Sequence, residues 1–161
     1  MVTLKNIYGI DSLRNKMKKL AAVSLISLAL AGCVNPGKAS VQTEQLENHR
    51  FVLENVDGKA VKGGKTQPEI RFSAQPNISL INNIVVSGTM CNGFNGQGKL
   101  SEGELTVKTL AMTRKLCTEP QLNELDQTIA DMLRTGAQVD LTEDQLTLAT
   151  ANKTLMFKRV E

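Results

Sequence analysis

The chain has 161 residues, with 19 basic and 16 acidic side chains for a net charge of +3, and only 3% of it is aromatic. Five of the basic residues and one acidic residue precede Cys33, so the remainder carries 14 basic and 15 acidic groups and the basicity belongs to the N-terminus. That balance excludes a basic nucleic-acid footprint as the organising feature, and the absence of Trp disfavours stacking platforms for sugars or single-stranded bases.

Residues 1–16 are polar, contain Asp11 and precede a better start at Met17; they read as an upstream extension and stay outside the fold argument. Met17-Lys-Lys19 is basic, and Leu20 to Leu30 carries no charge. A basic segment followed by roughly ten apolar residues and small residues describes a secretory signal over 17–32. The apolar run falls short of the about 20 residues that a permanent helical span needs. Leu30-Ala-Gly-Cys33 resembles the bacterial lipobox, in which the cysteine thiol takes a diacylglycerol and the chain is cut just before it. The expectation is therefore a lipidated Cys33 with a polar tether over 33–46. The residue after Cys33 is Val34 rather than Asp. By resemblance to that class of signals, this implies the periplasmic face of the outer membrane, with the lipid anchor as the membrane partner.

A folded domain is expected over 47–161, about 115 residues and enough for one small core. His49–Val56 reads as a strand, Asp57-Gly58 as a tight hairpin turn and Lys59–Lys62 as its return. Glu69–Ser73 alternates with period two, with Ile70 and Phe72 on one face. Ile78–Ile81 and Ile84–Met90 are strand-like runs split by Asn82-Asn83. The glycine-rich stretch Gly93–Gly98 reads as a bulge or turn. Lys99-Leu100 and Glu104–Val107 then form a short hairpin, and Leu110–Met112 a further apolar run.

One helix is expected over about 119–134. Thr118 is its candidate N-cap with Gln121 three residues on, and Pro120 falls in the first turn, where its missing N–H costs nothing. Leu122, Leu125, Ile129, Met132 and Leu133 recur on one face, and Gly136 marks the end. Glu124, Asp126, Gln127 and Asp131 take the polar face, where a solvated surface is the default reading. Val139–Leu141, Gln145–Thr150 and Thr154–Arg159 return to alternation. The fold class is α+β: a mainly antiparallel sheet, or a partly closed barrel of short strands, with one packed amphipathic helix.

Behind the lipobox, Cys91 and Cys117 would face an oxidising compartment. They lie 26 positions apart, and a structural disulfide there contributes about 3.5 kcal/mol in the chain-entropy account. A buried reduced pair and a redox site are the alternatives, the second without a C-x-x-C motif.

Catalytic constellations are thin. Gly93–Lys99 satisfies G-x-x-x-x-G-K, but Leu100 stands where a phosphate-binding loop needs Ser or Thr, and no helix follows. His49, the one histidine, has no cysteine in sequence register with it, and an oxidised pair holds no thiolate. Two thiols and one imidazole without ligand spacing do not make a zinc site. Arg114 is the more informative charge: it pairs with a carboxylate to hold the chain segments, or binds an anion.

Gly88-x-x-Cys91-Asn92-x-Phe94-x-Gly96-x-Gly98, followed by Met112-Thr-Arg114-x-x-Cys117 and the helix, resembles the META domain family. The likeness runs on through Gln121–Asp126, Gln138–Leu141 and Gln145–Ala151, nearly the whole of the chain after the tether. It implies an envelope lipoprotein linked to heat shock and to novobiocin tolerance and supplies no catalytic residues. With no catalytic set in the residues either, the leading reading is a non-enzymatic accessory of the outer membrane with no cofactor or metal. The alternative is a binding module for an envelope protein or small molecule, with its pocket near the Cys91–Gly98 stretch and Arg114. Asn92, Phe94, Gly96 and Arg114 are the candidate binding or structural residues.

Overall fold

The computed structural model describes residues 39–62, 64–75 and 82–161. The signal segment, Cys33 and the strand expected over Ile78–Ile81 lie outside the described residues.

The elements in chain order are α1 (Thr43–Leu46), β1 (Arg50–Val56), β2 (Lys59–Ala60), β3 (Glu69–Ser73), β4 (Asn83–Thr89), β5 (Gly93–Ser101), β6 (Glu104–Thr106) and β7 (Leu110–Met112). After them come α2 (Pro120–Thr135), β8 (Ala137–Thr142), β9 (Gln145–Ala149) and β10 (Thr154–Val160). Every strand pair is antiparallel. The path β1-β3-β4-β5-β6-β8-β9-β10 returns to β1, where Arg50 faces Val160 and Val56 faces Leu155. Among the described residues eight strands thus close a barrel, while β2 pairs with β1 and β7 with β5 beside that path. The expected α+β class holds, and the barrel is fully rather than partly closed. Closure satisfies backbone groups that an open sheet would leave on two edges.

The period-two patterns decide which residues point inward. Phe51 and Leu53, Ile70 and Phe72, and Ile84 and Val86 fill the barrel from β1, β3 and β4. Leu146, Leu148, Leu155 and Phe157 complete it from β9 and β10. A barrel of eight strands has an interior that side chains of this size fill. Helix α2 adds Leu122, Leu125, Ile129, Met132 and Leu133 to the same core.

Three expectations change. The stretch Gly93–Gly98 is not a turn but the first two-thirds of the nine-residue strand β5. Its glycines sit where neighbours come close: a Cβ on Gly96 would lie 2.6 Å from the Thr109 carbonyl oxygen, and one on Gly98 would lie 2.9 Å from Val86 Cγ2. Small residues in a strand mark such close approaches. Second, Thr118 does not cap α2. The N-cap is Glu119, without a side-chain cap bond, and Thr118 Oγ1 donates to the Glu119 carboxylate at 2.8 Å. Third, packing starts before residue 47: Val41 and Leu46 are buried in the core and α1 forms within the segment read as tether. The turns behave as expected. Asp57 and Gly58 have φ of 49° and 77°, and Glu102 and Gly103 have 54° and 78°, the positive pairs that tight hairpins demand.

Candidate functional site

The turn between β4 and β5 consists of Met90, Cys91 and Asn92, all buried. A buried turn cannot leave its backbone N–H groups to water, so each needs a partner. The Met90 N–H donates to the Asn92 carbonyl at 3.1 Å, and Asp126, on α2, serves the other two. Its Oδ1 accepts from the Cys91 N–H at 3.0 Å and the Asn92 N–H at 2.9 Å. Its Oδ2 accepts from Asn92 Nδ2 at 2.6 Å.

Asn92 is 5% exposed and uses its whole amide. Nδ2 also donates to the Lys115 carbonyl at 2.9 Å, while Oδ1 accepts from Thr113 Oγ1 at 3.0 Å and from the Lys115 N–H at 2.7 Å. An amide side chain has two donor hydrogens and two acceptor lone pairs, and all four are engaged. Thr113 Oγ1 in turn accepts from the Gly93 N–H at 3.1 Å. Asn92 and Asp126 thus fasten the segment 113–115 and helix α2 to one hairpin.

The disulfide Cys91–Cys117 ties the same turn to the residues leading into α2, with a Cα–Cα distance of 5.9 Å. Beyond it, Asn123 brackets Cys117: its Oδ1 accepts from the Cys117 N–H at 3.0 Å and its Nδ2 donates to the Cys117 carbonyl at 2.9 Å. The bridge, Asn92, Asp126 and Asn123 form one cross-linked patch. Phe94 is buried in the core beside it, and Gly96 packs under Val107 and Thr109. Asp126 was assigned to the solvated helix face by its position in the sequence. Its partners lie 34 and 35 residues away, and no local pattern announces them.

Arg114 departs from its expected pairing. It is exposed and makes no ion pair or side-chain hydrogen bond to any described residue. It lines a surface depression of about 420 Å³ with Leu110, Met112, Asp126, Gln127 and Arg134. Met90, in the turn, is fully buried and does not line this depression.

Chemically, the patch binds itself. The Asp126 carboxylate already accepts three donors, the cysteines are bridged, and the His49 ring packs edge-on against Phe51 at 6.3 Å. Among the described residues no group of three or more His, Cys, Asp or Glu side chains is placed to hold a metal ion. No helix among them is long and apolar enough to cross a membrane.

Comparison with known proteins gives this arrangement a family. The META domain profile matches residues 44–161. The chain belongs to the META domain family. Heat shock protein HslJ of Escherichia coli (strain K12) is 57% identical over 142 residues, which cover 88% of this chain and 96% of that one. A protein solved by NMR, 58% identical, superposes with a TM-score of 0.65 over 73% of this chain and 94% of its own. A second NMR structure, of a protein from Burkholderia xenovorans, shares the META-type fold at 24% identity with a TM-score of 0.56, over 73% of this chain and 86% of its own. The resemblance read from the cysteine and glycine spacing therefore holds, and the META residues Cys91, Asn92 and Cys117 form the cross-linked patch.

Proposed function

We propose that this META protein is a non-enzymatic accessory of envelope stress, held at the periplasmic face of the outer membrane by a lipid on Cys33 and acting in heat and novobiocin tolerance. The likeness to heat shock protein HslJ supports the stress role. The observation that carries the non-enzymatic reading is the engagement of the Asn92–Asp126 patch: all four hydrogen-bonding positions of the Asn92 amide and three on the Asp126 carboxylate are spent on holding the protein together. The lipobox Leu30-Ala-Gly-Cys33 supports the anchor.

The experiment replaces the native gene with variants at matched expression and scores survival under heat and novobiocin. Cys33→Ser abolishes acyl labelling and the outer-membrane fraction, because serine offers no thiol, and survival falls with it. Arg114→Ala leaves partial tolerance. Wild-type labelling in the serine variant overturns the anchor. Complete loss of tolerance in a folded, correctly placed Arg114→Ala protein favours the second reading, a binding module. One observation recommends that second reading: Arg114 is unpaired at the rim of a depression that also exposes Leu110 and Met112.

A further inference from the structure

A second depression of about 420 Å³ lies on the barrel's outer surface, lined by Lys99, Glu104, Thr106, Lys108 and Arg134 among others. Lys99 and Lys108 are exposed and make no ion pair or side-chain hydrogen bond to any described residue. Arg134 pairs with Asp131 at 3.4 Å, with both side chains more than half exposed. Such a pair is worth little, about 0–1 kcal/mol, so the guanidinium is free to turn to a better partner. Glu104 is the one acid in the lining, and it already accepts from Gln138 Nε2 at 3.2 Å. Arg134 also lines the depression that holds Arg114, so cations run across both hollows. The chain after residue 32 is close to neutral. Three basic side chains against one acid give this depression a local positive excess.

The chain's own route decides what this face meets. Ser40 lies against the β5–β6 turn: a Cβ on Gly103 would stand 3.7 Å from the Ser40 Cβ. Gly103 is the neighbour of Glu104, so Ser40 lies at the edge of the basic depression. Ser40 lies seven positions after Cys33, and seven such steps span at most about 25 Å even fully extended. A lipid on Cys33 keeps the edge of the depression within that distance of the membrane surface. All four phenylalanines are buried, so none of them offers a ring on which a nucleic-acid base would stack.

The geometry points to a docking face: Lys99, Lys108 and Arg134 bind the phosphates of anionic phospholipid headgroups at the membrane that holds the tether. The assignment rests on the anchor reading of Cys33, and it adds a defined orientation to that anchor. Each cation near an anionic lipid surface is worth about a fivefold change in association.

The test uses the processed chain purified from membranes. Intact mass first reports whether Cys33 carries lipid, which decides the anchor reading by itself. The protein is then placed on vesicles of phosphatidylcholine alone, or of phosphatidylcholine and phosphatidylglycerol in equal parts; an unlipidated chain is added from outside. An amine-reactive label is followed residue by residue. Lys99 and Lys108 label at least about fivefold more slowly on the anionic vesicles, while Lys59 and Lys153 label at equal rates on both. Arg134→Glu, exposed in the last turn of α2 and checked by melting, removes the protection. Equal labelling of Lys99 and Lys108 on the two vesicles overturns the docking face. The same protection on phosphatidylcholine supplied with inorganic phosphate assigns the site to a free anion and overturns the lipid.

Discussion

Asp126 shows how one side chain decides whether a turn is tolerable. It accepts three hydrogen bonds from a turn buried in the core, two of them from backbone N–H groups. Asp126→Ala strands those donors and destabilises the domain by about 2–4 kcal/mol, since bonds to a charged acceptor are worth more than neutral ones and orphaned donors cost extra. Asp126→Asn keeps one acceptor oxygen but turns an amide N–H₂ toward a donor, so it falls between. Urea unfolding checks the order; equal loss from both variants would mean that the oxygen Asn retains holds nothing on its own, and a wild-type-like Asn variant would mean that the second oxygen does nothing. Asp57 makes a pH-dependent case. Its pKa is lowered from the ordinary 3.8, first by the Thr154 N–H at 2.8 Å and then by Lys153 Nζ at 3.0 Å. A depressed carboxyl contributes stability that is present above the unfolded value and lost as pH falls through the folded one. Below pH 3.8 the wild type therefore loses a contribution that Asp57→Asn never had, and the two melting curves converge as the pH drops. Curves that stay parallel through that range refute the linkage.

The elements were legible in the sequence to the extent that their cause was local. Alternation in Glu69–Ser73 and Thr154–Arg159, the Asp57-Gly58 turn and the apolar stripe of α2 each depend on a few neighbouring residues, and each appears in the structure. Strand β5 reads as a turn because its three glycines lower strand propensity, and the reason for two of them, Gly96 and Gly98, is contact with Thr109, Val107 and Val86, far along the chain or across the sheet. The candidate site was half legible. Cys91, Asn92 and Cys117 stood out by type and spacing, whereas Asp126 did not, because a carboxylate on a polar helix face looks the same whether it meets water or a turn 34 residues away. The disulfide acts at this scale too. It ties the β4–β5 turn to the residues leading into α2, where Lys115 is already held by Asn92. Cys91→Ser/Cys117→Ser loses about 3.5 kcal/mol in the chain-entropy account. Hydrogen exchange should rise first over 113–125, while β5, paired on both sides, stays protected. A melting curve unchanged by reduction would show that the hydrogen bonds alone hold the patch.

At the scale of the whole molecule, closure of the barrel governs how the protein comes apart. No sequence pattern announced that β10 would pair with β1, because the partners Arg50 and Val160 lie at opposite ends of the domain. That pairing makes the last strand indispensable. Phe157 is fully buried and belongs to the same core as Phe51 and Phe72, whose rings meet edge-on at 5.8 Å. Replacing Phe157 by Ala removes about 3–5 kcal/mol, a large part of the roughly 5–15 kcal/mol that holds a typical domain. Ending the chain after Met156 does more. It removes the ring, the rungs from Leu53↔Phe157 to Arg50↔Val160, and the cover over two strand edges, one on β1 and one on β9. Exposed edges of that kind recruit other chains. The shortened protein is expected in the insoluble fraction, and in the soluble remainder the amides of β1 and β9 exchange rapidly. A soluble truncated chain with protected β1 amides would show that β2 and β3 suffice to hold β1 in place, and that closure is not what makes the domain cooperative.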